Sequence, residues 1–176
     1  MKKRTWYRVF SFVFSVLIIL GVLKLLNWVP LAIQKEDLRK YRTIEEVQSR
    51  LQLREVFIPS YFPEEISWPP AQIFGQKKPF VLVIMHFMQT GTRDPVLSIY
   101  QTDVRADFTP PFDTDILYKK KQSSVFIKDR EGILETAVCR RREICNKLSW
   151  RNEQFSIILL SHLHSNELLK IAESML

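Results

Sequence analysis

The chain has 176 residues, with 26 Lys and Arg against 19 Asp and Glu, a formal net charge of +7 and 46% hydrophobic residues. Four glycines in the whole chain cannot build a Gly-rich phosphate loop. Five of the 26 basic residues lie at or before Lys24 and no acidic residue does, so the remainder carries 21 basic against 19 acidic residues. A nucleic-acid binder concentrates its charge on the folded domain, so no nucleic-acid partner is expected.

Residues 1–8 form a basic tail containing Lys2, Lys3, Arg4 and Arg8. From Val9 to Leu23 every residue is apolar, Ser or Gly, and after Lys24 the apolar character resumes through Leu25, Leu26, Trp28, Val29, Leu31 and Ile33. A helix crossing the hydrocarbon core needs roughly 20 such residues. Lys24 lies near the far end, where its stem runs along the helix and its ammonium reaches the headgroups. Trp6, Tyr7 and Trp28 flank the run, as rings do at the membrane interface. The residues after the core (Lys24, Leu25, Leu26, Asn27, Trp28) are too bulky for an A-x-A-like cleavage site, so residues 9–33 are expected to stay as a transmembrane anchor. The basic tail then lies in the cytoplasm, and the chain beyond the anchor is exported, because long domains cross largely regardless of charge.

Residues 34–42 read as a polar juxtamembrane spacer that continues the membrane helix, and about 140 residues after the anchor suit one domain with its own core, spanning 43–176. Thr43 with Glu46 fits a capping box, and Ile44, Val47 and Leu51 recur at helical spacing, which predicts a helix over 43–52. In the next segment Pro59, Pro63, Pro69 and Pro70 exclude a helix or a central strand, with a short strand expected at 56–58. Tyr61, Phe62 and Trp68 crowd this proline-rich block. They either seal one end of the core or form a rigid aromatic surface that docks a peptide or an apolar ligand.

The remainder reads as antiparallel hairpins. Residues 80–89 and 95–104 pair around Gly91 and Asp94-Pro95; 124–129 and 133–139 pair around Glu131-Gly132; 144–150 and 154–161 pair around Arg151-Asn152-Glu153. The Lys119–121 and Arg140–142 runs read as solvated loops beside these strands, with contact to anionic headgroups as the sharper alternative. The chain closes with a helix capped by Ser165, whose Leu168, Ile171, Ala172, Met175 and Leu176 share one stripe. The fold class is α+β: an N-terminal transmembrane helix, then a two-layer domain of antiparallel sheet with a short N-terminal and a C-terminal helix packed on it.

No motif carries chemistry. There is no G-x-S-x-G elbow and no H-E-x-x-H, and the acidic pairs Glu45-Glu46, Glu64-Glu65 and Asp113/Asp115 lie in polar segments. His162-Leu-His164 has no evident partner ligand, so neither a metal nor a cofactor is expected. Cys139 and Cys145 either bridge across a hairpin, in an oxidising compartment, or remain two thiols.

The block LSWRNEQFSIILLS and then NELLKIAESM, with Trp150, an apolar strand and a helix bearing Leu168, Leu169, Ala172 and Ser174, resembles the end of a family of bacterial membrane-anchored extracytoplasmic domains of unknown function. Some of these are linked to anti-sigma factors or sporulation. IPSYFPEEISWPP is similar to a segment of such anchored proteins. The resemblance implies a non-enzymatic sensing or interaction module without catalytic residues. The residues together lead to the same expectation: a single-pass membrane protein whose external domain contacts a protein partner in the envelope through Tyr61, Phe62 and Trp68. A carrier or chaperone for lipid or lipoprotein, its strands lining a cavity, and an enzyme whose site leaves no local motif are the other two classes left open.

Overall fold

The computed structural model describes residues 38–91, 95–111, 116–139 and 143–176, together with 14, 17–19 and 24. The chain divides into two units, Met1–Asp37 and Leu38–Leu176. Most of the expected anchor therefore lies outside the described residues. Those described within it are helical, and Phe14, Leu17, Ile18 and Ile19 each leave more than half their surface exposed. Among the described residues no helix is long and apolar enough to cross a membrane.

The second unit is one antiparallel sheet of eight strands with two helices, so the α+β expectation holds in its coarse form. In chain order the elements are β1 (Arg39–Tyr41), α1 (Ile44–Leu51), β2 (Gln72–Gln76), β3 (Leu82–Met88), β4 (Pro95–Asp103), β5 (Ile116–Ile127), β6 (Arg130–Cys139), β7 (Ile144–Arg151), β8 (Phe155–Ser161) and α2 (Ser165–Glu173). The spatial order is β1-β2-β3-β4-β8-β7-β6-β5. Two four-stranded meanders thus meet where β4 pairs with β8, Ile99 opposite Leu159.

Strand alternation sorts the side chains onto two faces. The inner face carries Val83, Met85 and Phe87 of β3, Leu97 and Ile99 of β4, Leu148 and Trp150 of β7, and Ile157 and Leu159 of β8, all buried in one cluster. Both helices pack here. The α1 stripe of Ile44, Val47 and Leu51 and the α2 stripe of Leu168, Ile171, Ala172 and Met175 join the same cluster. The outer face carries a smaller cluster, Leu82, Ile84, Tyr100 and Ile158, against which Phe80 and Phe108 pack. Phe108 belongs to the β4–β5 connection and stacks at 5.7 Å on Tyr100. The central strands are therefore buried on both sides, which is why 80–89 reads as a nearly continuous apolar run rather than an alternation.

Thr43 Oγ1 accepts from the Glu46 amide at 3.2 Å, and the Glu46 carboxylate accepts from Arg42 N at 2.9 Å, one residue earlier than a capping box requires. Five other expectations need correction. Residues 39–41 are an edge strand rather than part of a helical spacer, because their backbone pairs with β2 from Gly75 to Ile73. Residues 56–58 form no strand; the Gln101 side chain, rather than a sheet partner, meets the backbone there. Lys119–Lys121 lie within β5, not in a loop. The second hairpin turns at Lys128-Asp129, with Lys128 at φ 54° and Ile127 opposite Arg130, so Gly132 lies inside β6 against Trp150. The N-cap of α2 is His164, whose Nδ1 accepts from Asn166 N at 3.4 Å. The Arg140–142 run lies outside the described residues.

Cys139 ends β6 and Cys145 is the second residue of β7, and the two are joined by a disulfide with Cα atoms 6.1 Å apart.

Candidate functional site

The proline-rich block between α1 and β2 lies over the inner face. Val56 and Ile66 are buried in the main cluster, and Phe57, Ile58 and Phe62 pack against it. Its far end is stitched to α2: Ser60 Oγ donates to the Ser174 carbonyl at 3.1 Å, Tyr61 N donates to Ser174 Oγ at 3.2 Å, and Tyr61 Oη donates to Glu167 Oε2 at 2.8 Å. Hydrogen bonds from Lys170 and Tyr61 hold the Glu167 carboxyl below its usual range.

The three aromatic residues singled out from sequence are close together but do different work. Phe62, Trp68 and the fully buried Phe87 form a mutual cluster, with ring centroids 5.5 Å apart for Phe62–Trp68, 5.0 Å for Phe62–Phe87 and 6.2 Å for Trp68–Phe87. Phe62 packs against the core. Trp68 lies at the outer edge of the cluster, touches Phe87 directly and remains 54% exposed. Tyr61 is 39% exposed, with its hydroxyl already committed to α2. The surface is a tryptophan platform packed on the rings beside it, and exposed Glu64 and Glu65 precede it in the chain by four and three residues.

A second feature has no counterpart in any sequence motif. An open cavity of about 650 Å³ lies at one end of the sheet, where Arg54, Glu55 and Phe57 of the proline-rich block meet Arg130 of β6 and the β7–β8 turn. Buried Gln101 on β4 positions its rim. The Gln101 Oε1 accepts from Phe57 N at 2.9 Å, and its Nε2 donates to the Glu55 carbonyl at 3.2 Å. One side chain thus satisfies the backbone of a segment with no sheet partner. On the other wall Asn152 Oδ1 accepts from Gln154 N and Phe155 N, closing the turn. Phe57 and Phe155 meet edge-on at 6.2 Å across the floor. No local pattern announces the three arginines, which lie on segments the topology alone brings together.

The crossover connection roofs a second depression of about 700 Å³ on the outer face, lined by Thr102, Ser124, Ser149, Ser156, Lys147 and Arg151 among others. Lys147 is paired at 2.9 Å with Glu135, which also takes Lys119 at 2.9 Å.

His162 and His164 serve the β8–α2 connection. His162 Nδ1 lies 3.7 Å from the Glu143 carboxylate, and His164 caps α2. His86 lies on the outer face, bonded to Ser98 Oγ at 2.8 Å, and burial holds its imidazole below the usual range. Among the described residues no group of three His, Cys, Asp or Glu is placed to hold a metal ion. Comparison with known proteins gives no match to a family model, to a curated protein or to a solved structure.

Proposed function

We propose that this chain is a single-pass membrane protein, inserted through residues 9–33 with residues 1–8 in the cytoplasm. Its extracytoplasmic domain is a non-catalytic interaction module that docks a protein partner in the envelope. The anchor is supported by the length of the apolar run and by the exposure of Phe14, Leu17, Ile18 and Ile19. The observation that carries docking is Trp68: a large ring, more than half exposed, packed directly on Phe62 and on the buried Phe87. Preorganised aromatic side chains of this kind anchor interfaces, because little rotamer entropy is left to lose on binding.

The exposed Glu64 and Glu65, on the same segment as Trp68, suggest the partner's chemistry. The segment that docks offers an apolar or proline side chain to Trp68 and Lys or Arg to the two carboxylates. A photoreactive residue at Glu64, irradiated in native membranes, should give one discrete adduct. Trp68→Ala should remove that adduct while the domain keeps a cooperative melt. Absence of an adduct, or loss of the fold in Trp68→Ala, overturns the assignment.

A further inference from the structure

The depression on the outer face is floored by hydroxyls, and we propose that it binds a neutral polyhydroxylated ligand, one or two sugar rings of a saccharide. The ring hydroxyls meet Ser149, Ser156 and Arg151, and a C–H face of the sugar lies against Phe108 and Ile133. The site shares no residue with the Trp68 platform and stands independently of it.

Strand alternation turns the polar groups to this face. Leu148 and Trp150 of β7 and Ile157 and Leu159 of β8 are buried in the main core, so Ser149, Arg151, Ser156 and Ile158 point outward. The register then lays them in rows. Arg151 stands opposite Ser156, and Ser156 opposite Thr102. In the next row Ser124 stands opposite Ile133, Ile133 opposite Ser149, and Ser149 opposite Ile158. Neighbouring strands lie about 4.8 Å apart, so polar groups recur across the floor at intervals that the hydroxyls of a sugar ring can span. The β4–β5 connection supplies the roof, where Phe108 is held by Tyr100 at 5.7 Å and by Phe80 at 6.1 Å.

Few of these groups are engaged within the protein. Thr102, Thr109, Ser124, Ser149 and Ser156 all line the depression. Among the described residues only Thr102 of the five bonds to the protein through its hydroxyl, which donates to the Val81 carbonyl at 3.1 Å. Nor does Arg151 form an ion pair among the described residues. Ser149 and Ser156 are half-buried and Arg151 is exposed, so a ligand can reach all three. A serine hydroxyl donates and accepts at once, as each sugar hydroxyl does, and the guanidinium offers a fork of donors to adjacent ring oxygens.

Charge and shape select the ligand. In the lining Lys147 and Arg151 are balanced by Asp107 and Glu131, so neither an anion nor a cation is favoured. Of the described strand side chains that face the depression only Ile133 and Ile158 are apolar, which suits the C–H face of a sugar and is too little for a lipid chain. A volume of about 700 Å³ falls within the roughly 300–1,000 Å³ of small-molecule sites. The floor is hydrogen-bonded sheet, so binding need not order it.

The full chain in a polyoxyethylene detergent, which brings no sugar of its own, should be titrated with maltotriose and with triacetylchitotriose, each monitored calorimetrically. Saturable binding of at least one probe is expected, and the tighter one tells whether a plain or an acetamido sugar is preferred. Ser149→Ala combined with Ser156→Ala should weaken binding at least about tenfold, the scale of two lost neutral hydrogen bonds. If that pair does not fold, Arg151→Met, at an exposed position, carries the same expectation through a lost charge-assisted bond. Trp68→Ala should leave binding unchanged. No saturable binding of either probe, binding that the serine and arginine variants leave unchanged, or binding lost with Trp68 instead, overturns the proposal.

Discussion

Glu135 is the one buried carboxylate among the described residues. Burial alone pushes its carboxyl up, but Lys119 and Lys147, each at 2.9 Å, outweigh that and hold it below the 4.5 of an ordinary Glu. A carboxyl depressed in the folded state contributes stability that is complete above its unfolded value and disappears as pH falls through the folded one. Glu135→Gln should therefore cost about 1–2 kcal/mol at neutral pH, since both partners are partly screened by solvent. The difference between the two proteins should shrink once the pH drops below 4.5. Chemical denaturation of both proteins across an acid series measures it. A difference that persists unchanged in acid would show that Glu135 contributes through packing rather than charge.

At the scale of elements, α1 reaches the sheet only because β2 presents a glycine. A Cβ on Gly75 would stand 2.6 Å from Val47 Cγ2, 3.0 Å from Leu51 Cδ1 and 3.1 Å from Tyr41 Cε2. Valine is stiff at χ1 and cannot swing aside, so the helix must lift. Gly75→Ala should then cost about 1–3 kcal/mol and lower the melting temperature by about 3–10 °C. A melt within about 1 °C of wild type would mean that α1 is loosely held. The same element explains what sequence could reveal. The helix itself was legible, because Ile44, Val47 and Leu51 recur at helical spacing behind a capping threonine. The strand that receives it was not. QIFGQ is short, has polar ends and comes just after two prolines, so neither alternation nor an apolar run marks it. Arg39–Tyr41 is shorter still and polar, and becomes a strand only by pairing with β2. Lys119–Lys121 misled for the opposite reason: β5 is an edge strand, and edges carry lysines that discourage further pairing. The Trp68 platform was partly legible as an excess of rings among prolines, but nothing in the sequence separated exposed Trp68 from Phe62 beneath it. The arginine cavity was not legible at all. Arg54, Arg130 and Arg151 come to line one cavity only through the return of the chain across the sheet.

For the whole molecule, compartment and fold bear on one another through the β6–β7 disulfide. Bridges of this kind form and persist where the surroundings are oxidising, and cytosolic thiols are kept reduced. An anchor that leaves the N-terminus in the cytoplasm would carry the Leu38–Leu176 unit into such a compartment; the opposite orientation would leave Cys139 and Cys145 as thiols. The two orientations thus make opposed predictions for one pair of residues. Cells treated with a thiol-trapping maleimide before lysis should yield protein that gains two labels only after reduction, and it should remain with the membrane after a carbonate wash. A reporter active only outside the cytoplasm, fused after Leu176, should be active in the same cells. The bridge closes a short loop, so its entropic contribution is about 2 kcal/mol. Cys139→Ser with Cys145→Ser should accordingly lower the melting temperature by several degrees while leaving the protein exported. Immediate labelling of both cysteines together with an inactive reporter would place the domain on the cytoplasmic side, and the envelope partner proposed for Trp68 would go with it.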